Sequence, residues 1–167
     1  MGFEFKDNSK EVLSAFDGAI LRALTRMGFA AEGYAKDLVP TNKQGYGGTL
    51  KNSISFKVDP AKKEVYIGTN LEYAPYVELG TGAFAKGGGG RPGWWVYVKD
   101  GDSSKGKGAT KTYTFEEAKQ VMAILRSKGL DAHMTRGQKP QPYLAPAVKN
   151  HKQTYRNILE DELKNAR

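Results

Sequence analysis

Residues Tyr73 to Gly82 read Y-A-P-Y-V-E-L-G-T-G, which sets a carboxylate, two tyrosines and a Gly-Thr-Gly turn close together. A carboxylate beside a glycine turn is a possible general acid or base next to backbone N–H groups that could hold an anion. The same residues have a structural use. Pro75 suits the first turn of a short helix over about 75–79, because its missing N–H is harmless there. Tyr76 and Leu79, three apart, would then share a face, and Gly80 and Gly82 would turn the chain into the glycine-rich segment that follows. On this second reading Glu78 caps the turn or pairs with a basic group, and the stretch, from Tyr73 on, is a structural motif. That is the reading taken forward.

The other candidates for chemistry each lack a part. G-D-S-S-K-G-K-G, Gly101 to Gly108, nearly matches the phosphate-binding pattern G-x-x-x-x-G-K-[ST]. Gly108 stands where a hydroxyl should hold magnesium, and no helix starts there. The glycines at 87–90 lack the strand before and helix after of a dinucleotide site. His133 and His151 are the only imidazoles, and there is no cysteine, so no metal-ligand spacing exists. The acid pairs Asp100/Asp102, Glu116/Glu117 and Asp161/Glu162 each have a local reason: a turn, a helix start and a position near the chain end. No enzyme, cofactor or metal is expected, with hydrolysis by Glu78 the one catalytic alternative.

Residues suited to contacts are more prominent. Trp94, Trp95 and Tyr97 lie in W-W-V-Y-V, a strand in which Trp94 and Val96 should face opposite to Trp95 and Tyr97. One set can fill a core. The other, with Arg91 and Lys86 in the adjoining glycine-rich segment, is a candidate partner contact, unless the domain itself covers both faces. The net charge of +8 is uneven, with 13 basic and 11 acidic residues in 1–100 but 13 and 7 in 101–167. Arg136, Lys139, Lys149, Lys152 and Arg156 follow one another with no acid between them. They read either as a patch for nucleic acid or an acidic protein, or as a basic loop followed by a solvated helix face.

The elements that must position these residues follow from periodicity. Val12, Phe16, Ile20, Leu24, Met27, Ala31, Tyr34 and Leu38 recur at spacings of four and three, predicting a helix from about Ser9 to Leu38 with that stripe inward. Asn8 or Ser9 should cap it, Gly28 and Gly33 are places for close approach or a bend, and Val39-Pro40 ends it. Leu50–Val58 and Glu64–Gly68 read as strands joined by D-P-A-K-K, Trp94–Val98 as a third, and a possible fourth lies around Thr110–Tyr113. Thr114 and Glu117 have capping-box spacing at the start of a helix that Gly129 stops, and Leu130–Met134 suggests another short strand. A last helix runs from about Leu144 to Asn165, buried through Leu144, Val148, Tyr155, Leu159 and Leu163. The fold class is α+β: a long N-terminal helix and a C-terminal helix packed on a mostly antiparallel sheet, with an inserted strand and helix.

The chain of 167 residues suits one domain, 1–167, in which 83–135 form an inserted loop, strand and helix. No apolar run spans a bilayer, no basic-then-apolar leader opens the chain, and a cysteine-free sequence fits a reducing cytoplasm. A membrane is therefore not an expected partner.

Three motifs occur in a fixed order: V-P-T-N-K-Q-G-Y-G-G-T-L-K-N-S-I-S (39–55), Y-A-P-Y-V-E-L-G-T-G (73–82) and R-G-Q-K-P-Q-P-Y-L-A-P-A-V (136–148). Together they resemble the tail-component or neck protein family of long-tailed bacteriophages and prophages. The family pattern places V-P at the end of a first helix, then T-G-x-L-x-x-S-I, then Y-A-x-x-V-E-x-G-T, then P-x-P-[FY]-L-x-P-A. Pro40, Tyr73, Pro75, Tyr76, Glu78, Gly80, Pro142 and Pro146 are the positions here that carry it. The first loop has extra residues, and 83–135 has a counterpart in only some relatives. The resemblance implies a non-enzymatic structural protein of the virion neck or tail. It would complete the head–tail junction as a homo-oligomer, a ring, touching connector and tail proteins, with DNA passing through the channel and assembly taking place in the host cytoplasm. The alternative reading is a basic nucleic-acid-binding protein.

Overall fold

The computed structural model describes residues 6–41, 48–99 and 111–166. Most of the loop expected over 41–49, and all of the glycine-lysine turn expected at 101–108, lie outside the described residues. In chain order the elements are α1 (Ser9–Leu38), α2 (Gly48–Ser53), β1 (Ser55–Asp59), β2 (Glu64–Gly68), α3 (Ala74–Leu79), a 3₁₀ turn (Gly82–Phe84), β3 (Trp95–Val98), α4 (Phe115–Ser127), β4 (Ala132–Thr135), α5 (Leu144–Lys149) and α6 (Lys152–Lys164). The α+β class is borne out. The antiparallel strands form two separate pairs, β1–β2 and β3–β4, instead of one sheet. The chain divides into two compact units, residues 1–72 with 142–167, and residues 73–141.

In the first unit α1 packs against β1, β2, α2, α5 and α6. Its bounds match the expectation, and its buried line matches in part: Ala31 of the expected stripe is buried and Ile20, Leu24, Met27 and Tyr34 are half-buried. Ala19, Ala23, Gly28, Ala31 and Ala35 are buried, whereas Val12, Phe16 and Leu38 of the expected stripe are 49%, 38% and 45% exposed. Small side chains let neighbouring elements approach the helix axis, and large ones at those positions would hold them away. Gly28 shows the reason: a Cβ there would sit 2.2 Å from the Phe56 ring, which occupies that space. Gly33, by contrast, faces open space. Phe56 and Ile67 are directly opposed across β1–β2, as are Val58 and Val65. Opposed residues share a face, so these four line one side of the hairpin.

Three boundaries differ from expectation. The cap of α1 comes from Asp7, whose Oδ1 accepts hydrogen bonds from the Ser9 N–H at 2.9 Å and the Ser9 hydroxyl at 2.5 Å, while Asn8 makes no side-chain cap. Residues 50–53, expected as the start of a strand, belong to α2, because Leu50 and Ile54 are both buried at a helical spacing of four and the Ser53 hydroxyl donates to the Leu50 carbonyl. The last helix breaks in two at Asn150–His151. The Tyr155 hydroxyl donates to the Ala147 carbonyl at 2.7 Å, taking the acceptor that a continuous helix would offer to His151, and the His151 ring stacks on Tyr34 with centroids 3.5 Å apart. Burial raises the Tyr155 hydroxyl above the usual tyrosine range, with Tyr34 adding to the effect. Tyr143 is fully buried at the entry to α5, and Val148, expected inward, is 46% exposed.

The second unit is built around Val96, Ala118 and Ala132, which are buried beneath Trp94, Val98, Tyr113, Val121, Met122, Leu125 and Met134. The capping box on α4 is present in both directions: Thr114 Oγ1 accepts from the Glu117 N–H, and Glu117 accepts from the Thr114 N–H at 2.8 Å. Gly129 ends the helix, with the Leu130 N–H reaching back to the Leu125 carbonyl. β4 starts two residues later than expected. The possible fourth strand reduces, among the described residues, to one bridge in which Trp94 and Tyr113 exchange both backbone hydrogen bonds, at 2.9 and 2.8 Å.

Candidate functional site: an aromatic and cationic contact surface

The stretch Tyr73–Gly82 forms α3 and the turn after it, with Pro75 in the first turn as its ring geometry favours. Glu78 is half-buried on α3 and has a partner of its own. Tyr73, Tyr76 and Leu79, spaced by three, are 44%, 60% and 47% exposed. The expected shared face of Tyr76 and Leu79 therefore exists, and it points largely to solvent.

Gly80 and Gly82 do more than launch a loop. The backbone of 136–141 runs alongside 77–83 and is bonded to it at several points. The Thr81 N–H donates to the Gln138 carbonyl at 2.9 Å, the Gln138 N–H returns to Thr81 Oγ1 at 2.9 Å, the Ala83 N–H donates to the Arg136 carbonyl at 2.9 Å, and the Gln141 N–H donates to the Val77 carbonyl at 2.8 Å. The second and third signature motifs thus clasp each other through their main chains. The approach is too close for side chains. A Cβ on Gly137, where φ is +118°, would lie 2.1 Å from the Thr81 carbonyl oxygen, and one on Gly82 would lie 2.3 Å from that of Arg136. The glycine-rich segment is pinned as well, since a Cβ on Gly90 would meet the Gly82 carbonyl oxygen at 1.9 Å. Gly87, Gly88 and Gly89 face open space. Sequence reasoning missed this clasp, although R-G-Q and G-T-G recurring in two ordered motifs was the available signal.

The clasp holds the rim of the β3–β4 sheet, where the expected alternation of aromatics is realised. Trp94, with Val96 and Val98, joins the core and meets the Phe115 ring edge-on at 5.2 Å. Trp95 and Tyr97 take the other face. The Trp95 ring edge rests against Gly82, and the Arg91 guanidinium lies 5.2 Å from its ring centre. Tyr97, 40% exposed, stacks on His133, its partner across the strands, at 5.6 Å. His133 Nε2 lies 2.8 Å from Asp131 Oδ1. Lys86 is exposed, and its backbone N–H is tied to the Leu79 carbonyl. Of the expected contact residues, Trp95, Tyr97 and Arg91 are thus gathered on or beside one sheet face, and Trp94 is not.

The basic run is divided. Arg136 and Lys139 fall in the second unit, and Lys149, Lys152 and Arg156 in the first. Arg136 is engaged with rings, its guanidinium lying 5.0 Å from the Phe84 centre and 5.9 Å from that of Trp94. Such contacts contribute about 0.5–1 kcal/mol each at exposed sites. Lys149, Lys152 and Arg156 are exposed, and no ion pair engages them among the described residues. The imidazoles serve as stacking rings, and among the described residues no group of three or more His, Cys, Asp or Glu is placed to hold a metal ion. No helix among the described residues is long and apolar enough to cross a membrane.

The side chains assembled here are aromatic rings, guanidinium groups and an exposed apolar turn. Residues 3–80 match the family model described as "Bacteriophage HK97-gp10, putative tail-component". The match takes in α1, the first hairpin and α3, and so includes the first signature motif and most of the second. The resemblance to phage tail components is therefore borne out over that part of the chain. No curated protein and no solved structure matches.

Proposed function

We propose that the chain is a structural virion protein of the phage head–tail junction, a neck or tail-completion component that acts by oligomeric assembly and not by catalysis. The observation that carries this reading is the match of residues 3–80 to the tail-component family, joined by the third motif at 136–148, which clasps the second. On this reading residues 1–167 work as one tail-component domain with 83–135 inserted. Copies of the chain form a ring, assembled in the host cytoplasm, that contacts connector and tail proteins while DNA passes through its channel. Trp95, Tyr97, Arg91 and Lys86 are the candidate partner contacts, and the exposed Tyr73, Tyr76 and Leu79 add apolar area of the kind that interfaces bury. Gold-labelled antibody against the chain, applied to negatively stained virions, tests the location. Label at the head–tail junction supports the reading, while label confined to the distal tail tip, or none on purified virions, overturns it.

A further inference from the structure

From residue 132 to residue 159 the chain contains no aspartate or glutamate. The structure sorts the end of this stretch by face. Between 149 and 157 the half-buried positions are His151, Thr154 and Tyr155, and the exposed ones are Lys149, Asn150, Lys152, Gln153, Arg156 and Asn157. The outward face is thus made only of cations and side-chain amides. Lys149, in the last turn of α5, is favoured by that helix's dipole, but the placement of the other two cations opposes local helix stability. Lys152 stands in the first turn of α6, where the helix dipole disfavours positive charge, and that turn has no acid. Lys152 and Arg156 are a like-charged i,i+4 pair, which disfavours the helix further. Of the acids that follow, Glu160 stands one turn beyond Arg156 with no ion pair to it among the described residues, and Glu162 accepts from Arg22 at 3.0 Å and from Arg26 at 2.9 Å, both on α1. A merely solvated helix face gains from mixed signs, and between 149 and 157 only one sign is present.

We infer that the outward face of α5–α6 at Lys149, Asn150, Lys152, Gln153, Arg156 and Asn157 is a binding site for the sugar-phosphate backbone of duplex DNA, independent of base sequence. Lys, Arg, Asn and Gln are the side chains that contact phosphate and sugar oxygens. A protein partner would call for an apolar centre with cations at its rim, and here a single half-exposed side chain, Val148, borders the cations. The site is independent of the aromatic surface and does not require the assembly reading.

The test is fluorescence anisotropy of a labelled random-sequence duplex of about 20 base pairs with the full chain, over roughly 50 to 200 mM salt. Two triple variants are compared: Lys149→Gln/Lys152→Gln/Arg156→Gln, and a control of equal net charge, Lys10→Gln/Lys57→Gln/Lys62→Gln, at exposed lysines of the same unit. The wild type should bind, and the first triple should reduce the slope of log affinity against log salt by roughly 2–3, at about 0.9 per phosphate contact. The control should keep the wild-type slope. Circular dichroism checks folding, and if the first triple unfolds, Lys152→Gln alone should reduce the slope by about one. No binding at low salt, equal losses in the two triples, or equally tight capture of poly-glutamate would each overturn the inference.

Discussion

Gly137→Ala tests whether the backbone clasp organises the second unit. At φ of +118° an alanine is strained at a cost of about 1–3 kcal/mol. Its Cβ would also lie 2.1 Å from the Thr81 carbonyl oxygen, a main-chain atom that cannot swing aside. The chain must separate there, and the reciprocal bonds between Thr81 and Gln138 lengthen or break, at about 1 kcal/mol each. The expected loss is roughly 3–5 kcal/mol. Both tryptophans of the chain, Trp94 and Trp95, lie in this unit, so urea unfolding followed by tryptophan fluorescence reports on it directly. With a slope of about 1–2 kcal/mol/M, the midpoint should fall by roughly 1.5 M or more. Gly87→Ala is the control, since its φ of +94° carries similar strain but a Cβ there meets open space. It should cost about 1–3 kcal/mol and leave the Thr81 and Ala83 amides protected from hydrogen exchange. Equal midpoint shifts in the two variants would refute the clasp.

Gly28→Leu should destabilise the first unit by at least roughly 1–3 kcal/mol despite leucine's better helix propensity, because Phe56 occupies the space; a thermal melt no lower than that of wild type would contradict this. Thr114→Ala removes the capping box and should cost about 1 kcal/mol by the tryptophan-monitored urea titration. Hydrogen bonds from Arg26 and Arg22 hold the Glu162 carboxyl below the usual carboxylate range. Its stabilising contribution is therefore full above the unfolded carboxylate pKa and is lost as pH falls through the lower, folded one. Acid titration of stability should show a shallower fall below about pH 4.5 in Glu162→Gln than in wild type, with the difference shrinking in high salt because both arginines are about half exposed. Trp95→Ala with Tyr97→Ala should lower incorporation of the chain into particles, read by quantitative mass spectrometry of purified virions, while Leu13→Ala, at a 65% exposed apolar residue of α1, should not.

The sequence was most informative where one residue type answers one local requirement. Thr114 with Glu117 marked the start of α4, Val39-Pro40 the end of α1, and the alternation around Val96 separated the two faces of β3. It misled where tertiary space outweighed hydrophobicity. On α1 Val12, Phe16 and Leu38 of the expected stripe are exposed and the fully buried positions are alanines and Gly28, because Phe56 and the neighbouring elements need close approach, which periodicity cannot reveal. The break between α5 and α6 has no proline or glycine to announce it and depends on a Tyr155 hydroxyl reaching the Ala147 carbonyl. The candidate site was legible as residue types, Trp95, Tyr97 and Arg91. The clasp that holds their sheet was not, since it joins main-chain atoms nearly sixty residues apart. The ordered motifs conveyed the resemblance to phage tail components, which the family match bears out over residues 3–80, where no single motif identified a chemistry.

Deleting the gene from its phage or prophage and imaging the products by electron microscopy tests the central claim most directly. A structural role at the head–tail junction predicts DNA-filled heads and separate tails that do not join, with joining restored when the purified chain is added back. Intact, joined virions in the deletion would contradict it.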